Sequence, residues 1–364
     1  MLHGMYRRAL LFLLLATTVA AQQPSAPAHA TPPPSFDQLV ADAQQALPPF
    51  ERIAQMKRPD LVQVNSIDPS IKVNFPLATA NNFLHTPIYH SPKAYLERPA
   101  AEALVKASQE LRKLGYGLMI YDAYQPWWVT KLLWSAMSPQ YRQFLGDPTG
   151  GTIQNRACAV DLTLYDVKTG LPEPMPSAYD ELSEKASPSY QGGDQQARLN
   201  RSLLITTMQK YGFTVSPTRW WHFEYKDWQK YPVLNIGFQD VPPPQTNDPC
   251  VCQDPVPIST PDAPYTEEAR KARISGTVSS WMFLGADGIP RQIIVFKPLG
   301  HGLDQKVIST LMNWRFEPAN LDDKPIPQLL SIDSDFHYHP GFNGDAPTAK
   351  PAPPSKKRTL PTKK

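Results

Sequence analysis

Three side chains in this sequence have the chemistry to bind a metal ion or to transfer protons. Asp161 lies in an apolar stretch, and His222 and Glu224 are two positions apart in the sequence W-W-H-F-E-Y. Residues two apart on a strand point to the same face, so Glu224 can reach whatever His222 binds. Imidazole and carboxylate groups serve as zinc ligands and as general acids and bases. Structural roles remain open: Asp161 as a buried carboxylate paired with Arg219 or Arg156, and His222 as a half-buried histidine.

The elements that hold these side chains follow from the spacing of the apolar residues. Helical spacing ends at Gly115, and short apolar runs bounded by turn residues indicate strands. One of these runs also contains Cys158, which we expect to be a core residue. We predict helices over residues 99–113 and 197–211, and strands over 116–121, 158–165 and 213–225. Helices and strands alternate without a regular βαβ order, so we expect an α+β domain.

Three motifs connect the candidate residues to a known family. They read D-A-Y-Q-P at 122–126, Q-N-R-A-C-A-V-D-L-T-L at 154–164 and R-W-W-H-F at 219–223. They resemble the motifs D-x-Y-R-P, H-x-R-G-x-A-x-D-L-T-L and E-W-W-H-F of the VanX-type D-alanyl-D-alanine dipeptidases, which are zinc peptidases of the bacterial envelope. The likeness covers about residues 60–230, with the motifs in the family's order and spacing. The resemblance implies a VanX-type fold for residues 36–241.

The resemblance assigns a role to each motif position, and three of these positions carry a substituted residue. Asp161 and His222 fall on two of the three zinc-ligand positions, and Gln154 stands where the first ligand is a histidine. Arg219 occupies the position of the general-base glutamate, and Gln125 occupies that of the arginine that stabilises the oxyanion. By the same resemblance, we expect peptide-binding residues in the motifs themselves: Tyr124, Arg156 and Trp221.

These substitutions predict loss of activity. A neutral amide is a poor zinc ligand, so we expect zinc to bind weakly or not at all. Arg219 stays protonated and cannot act as a base, and Gln125 lacks the charge that stabilises an oxyanion. Glu224 is the candidate replacement for the base or ligand. The remaining histidines of the domain, His85 and His90, are expected to be surface or turn residues.

A second module follows the first. Residues 261–278 read P-D-A-P-Y-T-E-E-A-R-K-A-R-I-S-G-T-V, and N-W-R-F-E-P-A follows at 313–319. These stretches resemble the C-terminal domain of TonB-family proteins, which contacts periplasmic segments of outer-membrane receptors. Two alternating runs joined by Asp287-Gly288 predict a β-hairpin. We expect a helix over 304–313, packed on a small antiparallel sheet that includes a strand over 327–336.

Charge and composition indicate what the segments outside the two domains are. The formal net charge of +3 depends on six basic residues in 350–364. Residues 22–349 carry more acidic than basic groups, which argues against a nucleic-acid-binding body. The N-terminus combines two arginines with a short apolar run and small residues, which is typical of a secretory signal peptide, with a retained membrane anchor as the alternative. Cys250 and Cys252 are too close in sequence for an unstrained bridge to each other. The expected segments are a signal peptide at 1–21, a proline-rich spacer at 22–35, the dipeptidase-like domain at 36–241, a proline-rich linker at 242–260, the TonB-like domain at 261–339 and a basic disordered tail at 340–364.

Three functional hypotheses follow for an exported protein of the periplasm or cell envelope. The first is a catalytically impaired dipeptidase-like domain that binds D-Ala-D-Ala ends of cell-wall peptides or an unrelated ligand, joined to a TonB-like module that binds an envelope or outer-membrane protein. The second is an active zinc D-alanyl-D-alanine dipeptidase that uses substituted residues. The third is a scaffold in which only the TonB-like module and the tail have a role.

Overall fold

A computed structural model describes residues 34–244, 252–338 and 348–351. Helices and strands alternate irregularly along these residues, which confirms the α+β class. The helices are α1 Phe36–Gln45, α2 Val64–Ile67, α3 Arg98–Lys113, α4 Trp127–Ala136, α5 Gln195–Lys210, α6 Glu267–Lys271 and α7 Leu303–Leu311. The strands are β1 Leu61–Gln63, β2 Lys72–Val73, β3 Tyr95–Glu97, β4 Tyr116–Asp122, β5 Ala159–Asp166, β6 Phe213–Val215, β7 His222–Tyr225, β8 Cys252–Gln253, β9 Val256–Ser259, β10 Gly276–Leu284, β11 Pro290–Lys297, β12 Arg315–Glu317, β13 Ala319–Leu321, β14 Lys324–Ile326, β15 Gln328–Phe336 and β16 Thr348–Pro351.

The first domain is built on a five-stranded sheet in the order β2-β4-β5-β7-β6. Only the β2–β4 pair is parallel, and the other neighbours are antiparallel. Helices α3 and α5 contribute Leu104, Leu111 and Leu204 to the same core cluster as Leu118 of β4 and Leu162 of β5. The two predicted helices and the three predicted strands are therefore confirmed, and the long last strand is interrupted as its Ser-Pro sequence indicates.

One helix of the first domain was not predicted from the sequence. The D-A-Y-Q-P motif is followed by α4, which begins directly after Pro126 and is not among the predicted helices. Its residues are aromatic-rich and lack a charged N-terminal turn, so the usual start signals are weak. Trp127 is buried and Trp128 is half-buried on this helix.

The second domain is a sheet in the order β11-β10-β15-β16, with all pairs antiparallel and α7 on one face. The predicted hairpin turns at Asp287-Gly288, where Gly288 has a φ of +75°. A Cβ at Gly288 would lie 1.8 Å from the backbone oxygen of Phe316, so only glycine fits this turn. Residues 348–351, expected in a disordered tail, instead form β16 along the edge of β15.

The predicted linker is shorter than the sequence indicated. Residues 252–253 and 256–259 form β8 and β9, which pair with β13 and β12 of the second domain. Pro257 is accommodated because β9 is an exposed edge strand, where a missing backbone donor costs little. Cys250 and the signal-peptide prediction lie outside the described residues, and Cys252 is described only in its backbone; Cys158 is buried and unbridged, as expected.

The two domains pack directly on each other. Trp281, Phe283 and Ile294 of the second domain belong to one buried cluster with residues of the first, including Leu234 and Val241. The sheet of the second domain is thus apolar on both faces, with α7 covering one face and the first domain covering the other. No helix within the described residues is long and apolar enough to cross a membrane.

Candidate functional site

Strand register places three polar side chains side by side in the middle of the first domain's sheet. Asp122 of β4 is paired with Asp161 of β5, and Asp161 is paired in turn with His222 of β7. The β4–β5 ladder has an irregularity between Ile120 and Asp122, which brings Asp122 opposite Asp161. All three side chains are buried, and antiparallel partners lie on the same face of a sheet. The site is therefore a row of ionisable groups across three strands.

Asp161 and His222 form a buried hydrogen-bonded pair. His222 Nδ1 lies 2.6 Å from Asp161 Oδ1, and Nε2 lies 3.6 Å from Oε1 of Glu224. Desolvation alone would lower the pKa of His222, but the charge of Asp161 and the hydrogen bonds that Asp161 and Glu224 accept from the ring raise it above the ordinary value. Asp161 is thus a buried, paired carboxylate, but its partner is His222 and not Arg219 or Arg156, the two arginines that the structural alternative named.

Arg156 has other partners. Its guanidinium lies 2.5 Å from a carboxylate oxygen of Glu51, donates to the backbone oxygen of Tyr231, and stacks near the Trp228 ring. The Arg156 side chain is buried, and its contacts connect the second motif to the chain around residues 51 and 231. In this arrangement Arg156 supports the loop behind the site.

Asp122 is a member of the site that the motif reading did not single out. Burial, reinforced by the charge of Asp161, raises its pKa well above the ordinary value. The Gln154 amide nitrogen lies 3.5 Å from Asp122 Oδ2, and the groups around Gln125 are satisfied when its amide nitrogen also faces that oxygen, at 3.2 Å. In that orientation the Gln125 oxygen accepts from the Thr130 hydroxyl at 2.6 Å. Both substituted glutamines thus point toward Asp122.

A turn that no motif predicts covers the row. The Tyr179 hydroxyl lies 3.3 Å from Asp161 Oδ2, and its ring packs against Trp221 and Tyr121. Asp180 follows with a φ of +59°. Asp180 is exposed overall, but the surrounding atoms shield its carboxyl group from water. This desolvation, reinforced by the charge of Asp161, raises the pKa of Asp180 to about 7.

Arg219 stands beside this acidic row. Its side chain is half-buried, and it makes no hydrogen bond or ion pair with any residue of the described ranges. Its charge opposes the upward pKa shifts of Tyr179 and Asp180 and also acts on His222. The position expected to hold a general base therefore holds a cation that is not paired within the described structure.

The remaining expected residues lie inside the protein. Trp221 is fully buried against Tyr179 and Trp220, and Tyr124 is fully buried with its hydroxyl bound to the backbone of Ile236. Direct contact of either with a ligand would require these residues to move, so their expected binding role stays a prediction. His85 and His90 are exposed, as the sequence indicated.

The residues present do not fit a zinc site. Nδ1 of His222 faces Asp161, and the amide of Gln154, the residue predicted to stand at the first ligand position, faces Asp122. Within the described ranges, no three His, Cys, Asp or Glu side chains are grouped so that they could hold a metal ion. An amide, an aspartate and a histidine already bonded to that aspartate are a poor donor set for zinc.

A cavity of about 260 Å³ adjoins the row. It lies along β4 and β5, shares Tyr179 with the site, and does not include Asp161, His222 or Arg219 in its wall. The wall is formed by Tyr121, Thr163, Glu173, Met175, Ser177, Ala178, Tyr179 and Trp220.

The geometry and the motifs define a peptidase-like domain, and comparison with known proteins identifies its family. The profile described as D-Ala-D-Ala dipeptidase matches residues 57–241, about half of the chain. The chain therefore belongs to the D-Ala-D-Ala dipeptidase family. Residues 261–338 match the profile described as the C-terminal domain of Gram-negative bacterial TonB proteins, so the second domain is a TonB C-terminal domain.

Individual relatives agree with this assignment. The D-alanyl-D-alanine dipeptidase of Escherichia coli (strain K12) is 33% identical over 180 residues, which cover 49% of this chain and 91% of the relative. The enzyme of the same name from Enterococcus faecium is 28% identical over 179 residues, covering 44% and 88%. A solved LD-carboxypeptidase, LdcB, matches 51% of this chain and 79% of its own at 18% identity, with a TM-score of 0.29.

Proposed function

We propose that this chain is an exported envelope protein whose dipeptidase-like domain binds the carboxylate end of cell-wall peptides without cleaving them. The observation that carries the proposal is Arg219, a half-buried cation at the position of the catalytic base, without a partner among the described residues. A guanidinium pairs well with a carboxylate, which every peptide terminating in D-Ala-D-Ala presents.

Three features support the loss of hydrolysis. Arg219 cannot accept a proton from water, and Gln125 cannot supply a positive charge to an oxyanion. Gln154 faces Asp122 with its amide nitrogen, which leaves Asp161 and His222 without a third ligand at the family's position. Glu224 is the remaining candidate for a base or ligand, at 3.6 Å from His222 Nε2. Its presence is the reason to test an active zinc dipeptidase as the alternative.

The location and the second domain complete the proposal. The secretory pattern of residues 1–21 and the TonB C-terminal domain support the periplasm or cell envelope of a Gram-negative bacterium. In this setting a cell-wall peptide and an envelope or outer-membrane protein are the expected partners of the two domains. Sequencing the N-terminus of protein recovered from the periplasm tests export, and an intact residue 1 there would contradict cleavage.

Calorimetry with the full-length mature protein tests the binding proposal. The probe is a short peptide ending in D-Ala-D-Ala, compared with the same peptide carrying a C-terminal amide. We expect the free acid to bind and the amide to bind at least tenfold more weakly, because only the acid pairs with Arg219. Arg219→Gln should remove this preference, whereas the matched control Lys226→Gln, an exposed cation near the end of β7, should keep it.

Zinc content and dipeptide hydrolysis test the loss of activity. We expect neither in the wild type, and both in the triple variant Gln154→His, Arg219→Glu, Gln125→Arg, which restores the family's residues. Zinc near one per chain with turnover in the wild type would instead establish an active dipeptidase, with Glu224 first in line as the base. Equal affinity for acid and amide peptides, or no binding of either, would refute the carboxylate-binding role.

A further inference from the structure

The apolar pattern of the TonB C-terminal domain divides its sheet into two faces. Val278, Met282 and Leu284 of β10 belong to the core under α7. The residues between them, Trp281 and Phe283, belong to the core shared with the dipeptidase-like domain. Strand β11 alternates in the same way, since Val295 faces α7 and Ile294 faces the first domain. The second face of this sheet is therefore occupied within the chain.

Polar contacts fix the position of the sheet on one segment of the first domain, residues 233–241. The buried Gln292 of β11 uses both ends of its amide: Oε1 accepts from the backbone nitrogen of Asn235, and Nε2 donates to the backbone oxygen of Val233, each at 2.8 Å. Nε of Arg291 donates to the buried Asp240 at 2.9 Å. Buried hydrogen bonds in which both partners are satisfied favour one specific arrangement of the two domains.

The same segment holds the motif loops from its other side. The Trp128 backbone nitrogen donates to the Asn235 side chain, and the Trp127 nitrogen donates to the backbone oxygen of Leu234. The Leu234 nitrogen donates to the backbone oxygen of Asn155, which lies in the second motif next to Gln154. Asn155 also donates from its side chain to the backbone oxygen of Gln125. Gln292 is thus connected to both substituted glutamines through one intervening segment.

We infer that the TonB C-terminal domain acts within its own chain, as a domain that binds the dipeptidase-like domain and positions its motif loops. The surface that it uses is the β10–β11 face around Trp281 and Ile294, and the partner is the 233–241 segment. Gln292 is a positioning residue, since it touches the segment and not the site. A receptor would have to use another part of the module, because this face is already covered.

Cleavage after folding tests the association. A protease site is inserted within residues 245–251 of the full chain, the folded protein is cut, and the products are separated by size-exclusion chromatography. We expect the two fragments to elute together under native conditions and to separate in denaturant. Fragments that elute apart while each keeps a folded far-ultraviolet spectrum would overturn the inference.

Hydrogen exchange tests the positioning role. Gln292→Met keeps the length and packing of the side chain but removes both hydrogen bonds, so amides of residues 233–236 and 127–128 should exchange about tenfold faster. Gln292→Glu retains the acceptor for Asn235 and should protect that amide in part. Lys297→Ala, an exposed change on the same strand, is the matched control.

The outcomes separate this inference from the proposed function. Unchanged exchange at 127–128 and 233–236 in Gln292→Met, with the fragments still associated, would show packing without positioning and overturn it. Because neither experiment measures ligand binding or hydrolysis, a failed peptide-binding test leaves this result intact.

Discussion

Asp161 and His222 occupy paired positions on adjacent antiparallel strands, and their side chains meet at 2.6 Å. The sequence predicts zinc-ligand roles for both residues, yet here each is the other's hydrogen-bond partner. A buried carboxylate and a buried imidazole that satisfy each other need no metal to remain inside the protein. The retained motif residues thus have a structural role that is independent of catalysis.

This pair predicts a measurable stability cost. Asp161→Asn removes the negative charge next to His222 and weakens the buried hydrogen bond between the two side chains. The free energy of unfolding should therefore fall by about 2–4 kcal/mol. Urea denaturation at pH 7 measures the change. Glu184→Gln, an exposed carboxylate in the same domain, is the control and should change stability by less than about 0.5 kcal/mol. A cost within that margin for Asp161→Asn would mean that the pair contributes nothing.

Glu97 predicts a pH dependence of stability. Burial raises the pKa of this carboxyl group well above its ordinary value, despite one hydrogen bond from the Asp60 nitrogen. The folded state therefore favours the protonated form, so the stabilising contribution is complete below pH 4.5 and is lost as the pH rises toward the raised pKa. Glu97→Gln cannot ionise, so its stability relative to the wild type should increase by up to about 1.4 kcal/mol per pH unit between pH 4.5 and the raised pKa, and level off above it. Parallel stability curves for the two proteins between pH 5 and pH 8 would contradict the assignment.

We predict that removing the hydroxyl group of Tyr89 does not destabilise the protein. This hydroxyl is buried and has no hydrogen-bond partner within the described residues, and desolvation followed by the charges of Asp122, Tyr124 and Asp161 raises its pKa. Tyr89→Phe removes an unsatisfied group and should leave stability unchanged or raise it by about 1 kcal/mol. Thermal unfolding measures this difference. A loss above about 1 kcal/mol would indicate that the hydroxyl has a polar partner.

We predict that replacing two glycines of the second domain by alanine destabilises the protein to different extents. Gly288 and Gly300 both have positive φ values, of +75° and +82°. A Cβ at Gly288 meets the backbone oxygen of Phe316, whereas nothing lies within 4 Å of a Cβ at Gly300. Gly300→Ala should cost about 1 kcal/mol from backbone strain, and Gly288→Ala should cost at least about 2 kcal/mol more. Chemical denaturation of both variants measures the difference, and equal costs would rule out the steric contact.

Local sequence signals were sufficient for most of the helices and strands. Helices α3 and α5, strands β4 and β5 and the β10–β11 hairpin follow from spacing and turn residues alone. Asp122 was not recognised as a site residue because its place opposite Asp161 depends on an irregular ladder, which no periodicity records. Tyr179 and Asp180 come from a turn with no motif, and only tertiary packing brings them over Asp161.

The packing between the two domains was not predicted from the sequence. The proline-rich stretch at 242–260 is typical of an extended spacer, but its second half pairs with the second domain. A clearer signal was present in the runs W-M-F-L and I-I-V-F, which are apolar at successive positions. Strands buried on only one face alternate with polar residues, whereas strands buried on both faces read as continuous apolar runs. These runs therefore indicated a second covering layer.

The two-faced sheet also limits how this module can be used by itself. If residues 261–338 were produced alone, the face around Trp281, Phe283 and Ile294 would lose its cover and expose an apolar patch to water. Such a patch promotes self-association and precipitation. A recombinant fragment of the module would then be expected to form dimers or aggregates, and replacing this face with polar residues should be the first step toward a soluble version.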